Sequence, residues 1–133
     1  MPKVKQLLLV EDHVQMRDVL KECFEELGFA VDTASSTNEA LRMLDRGAYD
    51  LVFSDNQFPR FPDSRETSPN QGLELLQWAR FEQKYEHTPF ILHTADDSPT
   101  LKDKVRSLRG IFCAKGASNN FEQILQNALL EHA

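Results

Sequence analysis

Three carboxylates in this sequence are placed where they could meet. Asp55 closes the apolar run Leu51-Val52-Phe53-Ser54, and a second run, Leu7 to Val10, ends in Glu11-Asp12. If both runs are parallel strands lying side by side, the three acidic groups share one end of a sheet. Like charges that close repel, so one group takes up a proton unless a cation sits among them. A hard divalent ion with oxygen ligands answers that repulsion, and Mg2+ is the one usually paired with phosphoryl chemistry.

The elements that must position these groups follow from hydrophobic spacing. Lys5 to Val10 reads as a first strand. Met16, Val19, Leu20, Cys23, Phe24 and Leu27 recur at three- and four-residue steps, which predicts an amphipathic helix stopped by Gly28. Ala30 to Ala34 alternates apolar and polar residues, as an edge strand does. A second helix starts at Thr37, with Ala40, Leu41 and Leu44 inward and Gly47 as its stop. Its start rests on a Thr cap alone, because the capping-box spacing is not met from Thr37.

Asp50 to Ser54 is the third strand and delivers Asp55. A long polar loop follows, then a helix carrying Leu73, Leu75, Leu76, Trp78 and Ala79. Pro89 opens a fourth strand, Phe90 to His93, and Leu101, Val105 and Leu108 mark a fourth helix. Ile111 to Ala114 forms a short fifth strand, and Phe121, Ile124, Leu125, Ala128 and Leu129 space a closing helix. Five strands alternating with five helices predict an α/β fold, a doubly wound parallel sheet covered on both faces. Crossovers should be right-handed, and a ligand should sit at the carboxyl ends of the strands where their order reverses.

Composition narrows the function classes. The chain has 133 residues, suited to one domain spanning 1–133, and a formal net charge of −6. That charge argues against a nucleic-acid surface, which needs clustered Lys and Arg. Lys102, Lys104, Arg106 and Arg109 do gather, but Asp96, Asp97 and Asp103 are interleaved with them, as on a solvated helix face. The two cysteines, Cys23 and Cys113, read as small buried hydrophobes rather than as a disulfide or metal pair. Neither a signal peptide nor a membrane span is evident, so a cytoplasmic protein is expected.

The sequence resembles the receiver domains of the response-regulator family in two-component signalling. The resemblance rests on Leu9-Val10-Glu11-Asp12 after the first strand, Asp55 after the third, Thr94-Ala95 after the fourth and Lys115 after the fifth. Each motif alone is weak, but four in order on the right strand ends are specific, and together they span essentially the whole chain. The resemblance implies a flavodoxin-like (βα)5 sheet of order 2-1-3-4-5. It implies that Asp55 accepts a phosphoryl group from a histidine kinase or a histidine phosphotransfer protein. Glu11, Asp12, Asp55 and the backbone carbonyl of Gln57 would hold Mg2+. Lys115 would set its ammonium against the acyl phosphate, and Thr94 would donate a hydrogen bond to a phosphoryl oxygen. Thr94 and Phe112 would form the switch, with Phe112 favouring a buried rotamer for want of a hydroxyl. Gln57 and Asp96 would tune hydrolysis. The face made by the fourth helix, fifth strand and fifth helix would bind a downstream protein target, with the chain a monomer or weak dimer. Such a domain is a signalling module that catalyses only its own phosphorylation and dephosphorylation.

Three departures bear on that pattern. Between Pro59 and Gly72, the polar segment Arg60 to Gln71 lengthens the loop beside Asp55. It is expected to be mobile, and reads either as a tolerated surface insertion or as a lid tuning kinase access or phosphoryl lifetime. Gly116 replaces the proline that normally follows the lysine through a cis bond. A cis bond before glycine costs about 3 kcal/mol, so either that cost is borne or the loop takes another path. The stretch from Leu108 to Phe112 is short, so the fourth helix is expected to be short or shifted. Two other readings stay open: a phosphorylation-independent interaction module on this scaffold, and a small Mg2+-dependent aspartyl-phosphate phosphatase. The phosphatase usually needs a second acid two residues after the nucleophile, where this chain has Gln57.

Overall fold

The computed structural model describes residues 4–116 and 119–131. Strands and helices alternate: β1 Gln6–Val10, α1 Val14–Glu26, β2 Ala30–Ala34, α2 Thr37–Arg46, β3 Leu51–Asp55, α3 Gln71–Phe81, β4 Phe90–Thr94, α4 Pro99–Ser107, β5 Ile111–Ala114 and α5 Phe121–Glu131. The five strands form one sheet in the order β2-β1-β3-β4-β5, and every pairing is parallel. β1 leads to β2 on one side while the next strand, β3, pairs on β1's other side. The carboxyl ends of β1 and β3 therefore flank the point where strand order reverses.

Alternation along the strands feeds two cores. Leu8, Val10, Val52, Phe90 and Leu92 pack with Ala40, Leu44, Leu75, Leu76, Leu101 and Val105 of α2, α3 and α4. Leu7, Leu9, Leu51, Phe53, Ile91 and Cys113 pack with Leu20 and Phe24 of α1 and Leu125 and Ala128 of α5. The central strands are thus buried on both faces, which explains their continuous apolar runs. Four rings (Phe24, Phe53, His93 and Phe121) meet with centroids 4.9 to 5.8 Å apart, bracing the ends of β3 and β4 against α1 and α5.

Several local expectations are corrected. Val19 is 65% exposed, because it lies off the stripe centred on Leu20 and Phe24. Cys23 is only half-buried, whereas Cys113 is buried, and both thiols are free. The cap of α2 is Ser36, not Thr37: its hydroxyl accepts from the Glu39 N–H, while Glu39 Oε1 accepts from the Ser35 N–H at 2.7 Å. The capping-box spacing is thus met from Ser36, with Thr37 the first residue of the helix.

α4 is short, nine residues, and closes with Arg109 in the left-handed region at φ 57. The Arg109 and Gly110 N–H groups donate back to Arg106 and Val105, a Schellman turn that takes the chain into β5 without further spacer residues. Arg80, 8% exposed, donates to the carbonyls of Tyr85, Thr88, Leu108 and Arg109, tying the ends of α3 and α4 together.

The long connection between β3 and α3 is anchored rather than loose at its ends. Phe58 and Ser68 form an antiparallel bridge across its neck. The carbonyls of Pro59 and Arg60 accept from the Thr37 and Asn38 N–H groups, filling orphan donors at the start of α2. The residues between are exposed. Gly72 sits where this connection enters α3. A Cβ there would lie 2.1 Å from the Asp55 carbonyl oxygen, 2.6 Å from Leu92 Cδ1 and 2.9 Å from Asn56 Cα. Gly72→Ala should therefore push α3 away from the end of β3 and destabilise the fold by about 3 kcal/mol. Urea unfolding would read this as a clear drop in midpoint, and an unchanged midpoint would mean the junction yields freely.

Candidate functional site

The register of β1 on β3 pairs Val10 with Ser54, which carries Glu11, Asp12 and Asp55 to one end of the sheet. An oxygen from each of the three carboxylates lies within 4.8 Å of the others. Glu11 is 1% exposed, Asp12 is half-buried, and the Asp55 side chain is 11% exposed. From the end of β5, Lys115 reaches Asp55 Oδ2 at 3.2 Å and Glu11 Oε1 at 3.7 Å. Among the described residues, one ammonium thus stands beside a cluster of three carboxylates and pairs with two of them.

That imbalance shows in Glu11. Neither of its carboxylate oxygens has a hydrogen-bond partner although both are buried. Burial raises its pKa to about 8, helped by the nearby Asp55 carboxylate. Lys115 opposes the shift, and Asp12 adds to it. Two orphaned buried oxygens within reach of two further carboxylates fit a hard divalent cation with oxygen ligands.

The remaining predicted residues fall around this cluster. Thr94, 3% exposed, ends β4; its Oγ1 accepts from the Asp96 N–H at 3.1 Å and its carbonyl from the Lys115 N–H at 2.9 Å. Asp96 is exposed, and its Oδ1 accepts from the Ser98 N–H at 3.0 Å. Ser98 in turn caps α4 by accepting from the Leu101 N–H. Gln57 is exposed two residues beyond Asp55. Phe112 lies on β5 away from the carboxylates, half-buried against the α2–α4 core, with Lys102 Nζ 5.3 Å from its ring centroid. No cis peptide bond occurs among the described residues, so the Lys115–Gly116 bond is trans.

Two residues at the site escaped the sequence reading. Asn56 is 2% exposed, and its N–H donates to Asp55 Oδ1 at 2.7 Å. His93, paired in register with Asp55, is 3% exposed, and burial followed by the Lys115 charge lowers its pKa to about 4. It is neutral at pH 7 and serves as a ring among Phe53 and Phe121. The only sequence signal for either was a polar residue interrupting or directly following an apolar run.

The chain matches the family described as response regulator receiver domain over residues 7–110. It is 30% identical over 95 residues to chemotaxis protein CheY-3 of Vibrio cholerae, covering 71% of this chain and 66% of that protein. It is 26% identical over 106 residues to hybrid signal transduction histidine kinase B of Dictyostelium discoideum, 80% of this chain and 5% of the kinase. The response regulator protein TrrA of Thermotoga maritima, solved in complex with Mg2+ and BeF, matches with a TM-score of 0.76 at 26% identity. That match covers 95% of this chain and 100% of the other. A CheY-like response regulator receiver domain protein from Methanospirillum hungatei has the same fold, with a TM-score of 0.82 at 19% identity over 98% and 97% of the two chains. Among the described residues no helix is long and apolar enough to cross a membrane.

The proton on Glu11 makes stability depend on pH. Without a cation the folded chain holds it up to about pH 8, whereas the ordinary value is 4.5. The folded state binds more protons across that window, so this contribution is complete below about pH 4.5 and lost as pH rises through 8. Glu11→Gln should accordingly be more stable than wild type at pH 8.5 in chelator and indistinguishable from it near pH 4.5. Urea unfolding of both proteins at the two pH values checks this; a constant difference between them would contradict it.

Proposed function

This chain belongs to the response regulator receiver family, and from that premise we propose that Asp55 is its phosphoacceptor. The donor is the phosphohistidine of a histidine kinase or histidine phosphotransfer protein. The observation that carries this reading is the buried Glu11 carboxylate, without a hydrogen-bond partner and within reach of Asp12 and Asp55, with Lys115 against Asp55. Glu11, Asp12, Asp55 and the Gln57 carbonyl would hold Mg2+. Bound there, the ion supplies positive charge for the oxygens of a transferring phosphoryl group.

The chain's own residues divide the remaining work. An oxygen of Asp55 attacks phosphorus as the donor's P–N bond breaks, and the electron pair of that bond stays with the imidazole nitrogen. The Lys115 ammonium, 3.2 Å from Asp55 Oδ2, offsets charge at that carboxylate. The Thr94 hydroxyl already accepts from Asp96, so its own hydrogen remains available to a phosphoryl oxygen. The lifetime of the acyl phosphate, and so any autophosphatase activity, would be set by water reaching it past Gln57 and Asp96, which are both exposed.

Output follows from the bonds leaving Thr94. The chain of hydrogen bonds from Thr94 through Asp96 to Ser98 joins the site to the N-terminus of α4. A shift of Thr94 toward a phosphoryl group would strain that chain and bias α4, with Phe112 repacking beside it. The face of α4, β5 and α5 then binds a downstream protein target. Phosphorylation alters that equilibrium only by its differential affinity for the two states. We read the chain as a cytoplasmic module of residues 1–133, a monomer or weak dimer, whose 60–71 segment is an insertion.

Relatives give the reading its context: TrrA was solved with Mg2+ and BeF. Incubation with Mg2+ and a small acyl phosphate should add one phosphoryl group to wild type and none to Asp55→Asn, read by mass spectrometry. No addition to wild type, or equal addition to both, would overturn the assignment. Turnover of a phosphate ester by wild type would replace it with the phosphatase reading.

A further inference from the structure

Asn56 does more than follow the phosphoacceptor. Its backbone N–H donates to Asp55 Oδ1 at 2.7 Å, and its other three polar groups all engage the start of α3. The Asn56 carbonyl accepts from the Gly72 N–H at 3.2 Å. Asn56 Oδ1 accepts from the Leu73 N–H at 3.0 Å, and Asn56 Nδ2 donates to Asn70 Oδ1 at 3.1 Å.

α3 needs this help. Asn70 holds the N-cap position but has a left-handed backbone, φ 60, and its side chain makes no capping bond. Gly72 and Leu73 are the second and third residues of the helix, whose N–H groups a cap normally satisfies. Asn56, fourteen positions before Asn70, caps the helix in its place. The segment between them is an excursion whose neck is closed by the Asn56–Asn70 bond and the Phe58–Ser68 bridge. Its length therefore does not reach the junction of Asp55 with α3.

We propose that Asn56 is a positioning residue for phosphoryl transfer to Asp55. Resting on the phosphoacceptor reading above, this assigns Asn56 the task of fixing the carboxylate's orientation. Three bonds to α3 immobilise the 55–56 peptide, and that peptide's N–H holds one carboxylate oxygen. The other oxygen is thereby presented for attack. In the step concerned, an Asp55 oxygen bonds to phosphorus while the P–O bond of an acyl-phosphate donor breaks, and the donor's carboxylate leaves with the electron pair. No proton or further reactant is needed. A carboxylate free to rotate would reach the attacking geometry less often, with the donor bound equally well.

The test is the rate of phosphorylation from a small acyl phosphate at saturating Mg2+, followed by mass spectrometry across donor concentrations. Asn56→Leu keeps the size of the side chain but neither polar group; it should lower the maximal rate constant about tenfold with the half-saturating donor concentration unchanged. Asn56→Asp keeps the acceptor for the Leu73 N–H and should recover the rate to within about threefold. Asn70→Gly keeps the left-handed backbone and removes only the partner of Nδ2; it should slow the reaction about threefold, and it tests the proposal even if Asn56→Leu does not fold. A purely structural role predicts a lowered urea midpoint with the rate of the folded fraction unchanged. Wild-type rates in folded Asn56→Leu, or in Asn70→Gly should Asn56→Leu not fold, overturn the positioning role. Failure of Asn56→Asp to recover any rate overturns it too. Each of these outcomes leaves phosphorylation of Asp55 itself standing, whereas an unmodified wild type removes both.

Discussion

Among the described residues, three carboxylates at the ends of β1 and β3 meet one ammonium, and the sheet holds them together. Register fixes Glu11 and Asp55 on adjacent strands, and Glu11 is 1% exposed, so water cannot screen the repulsion. Lys115 answers part of the charge, at 3.2 Å from Asp55 and 3.7 Å from Glu11. What remains must be met by a proton or by a cation. That constraint suits the site to a divalent cation, and it sets a stability cost whenever neither cation nor proton is present.

The surrounding structure serves to keep those charges in place. Aromatic rings from α1, β3, β4 and α5 brace the strand ends from one side, with His93 neutral among them. On the other side Gly72 brings α3 against the Asp55 carbonyl, an approach that any side chain at that position would prevent. Asn56 closes the same junction with hydrogen bonds. A site assembled from strand ends and helix starts is then connected outward by few routes, the clearest being Thr94 to Asp96 to Ser98. Arg80 fixes the far end of α4 through carbonyls, so movement passed to its N-terminus would pivot about that anchor.

Much of this was legible in the sequence because strand ends carry the chemistry. Apolar runs announced β1 and β3, and the acidic residues directly after them could only cluster if the strands were neighbours. Three- and four-residue steps admit both Val19 and Leu20, but only the stripe through Leu20 and Phe24 faces the core, and Val19 is 65% exposed. α2 begins at Thr37 as its spacing implies, but its cap is Ser36: both residues are good caps, and only the Glu39 bonds decide between them. Asn56 was invisible for a different reason. Its role depends on Asn70, Gly72 and Leu73, across a connection whose path no local propensity encodes. The long polar segment read as mobile, yet its neck is tied by backbone pairing that leaves no mark on composition.

The most direct test of the account is the proton that Mg2+ should displace. Calorimetric titration of Mg2+ in two buffers of different ionisation enthalpy gives the number of protons released on binding. With Glu11 raised to about 8, release should approach one proton near pH 6.5 and fall toward none near pH 9. Asp55→Asn should weaken the binding. Mg2+ binding with no proton released at either pH, or no binding at all, would contradict the claim that cation and proton compete for the same three carboxylates.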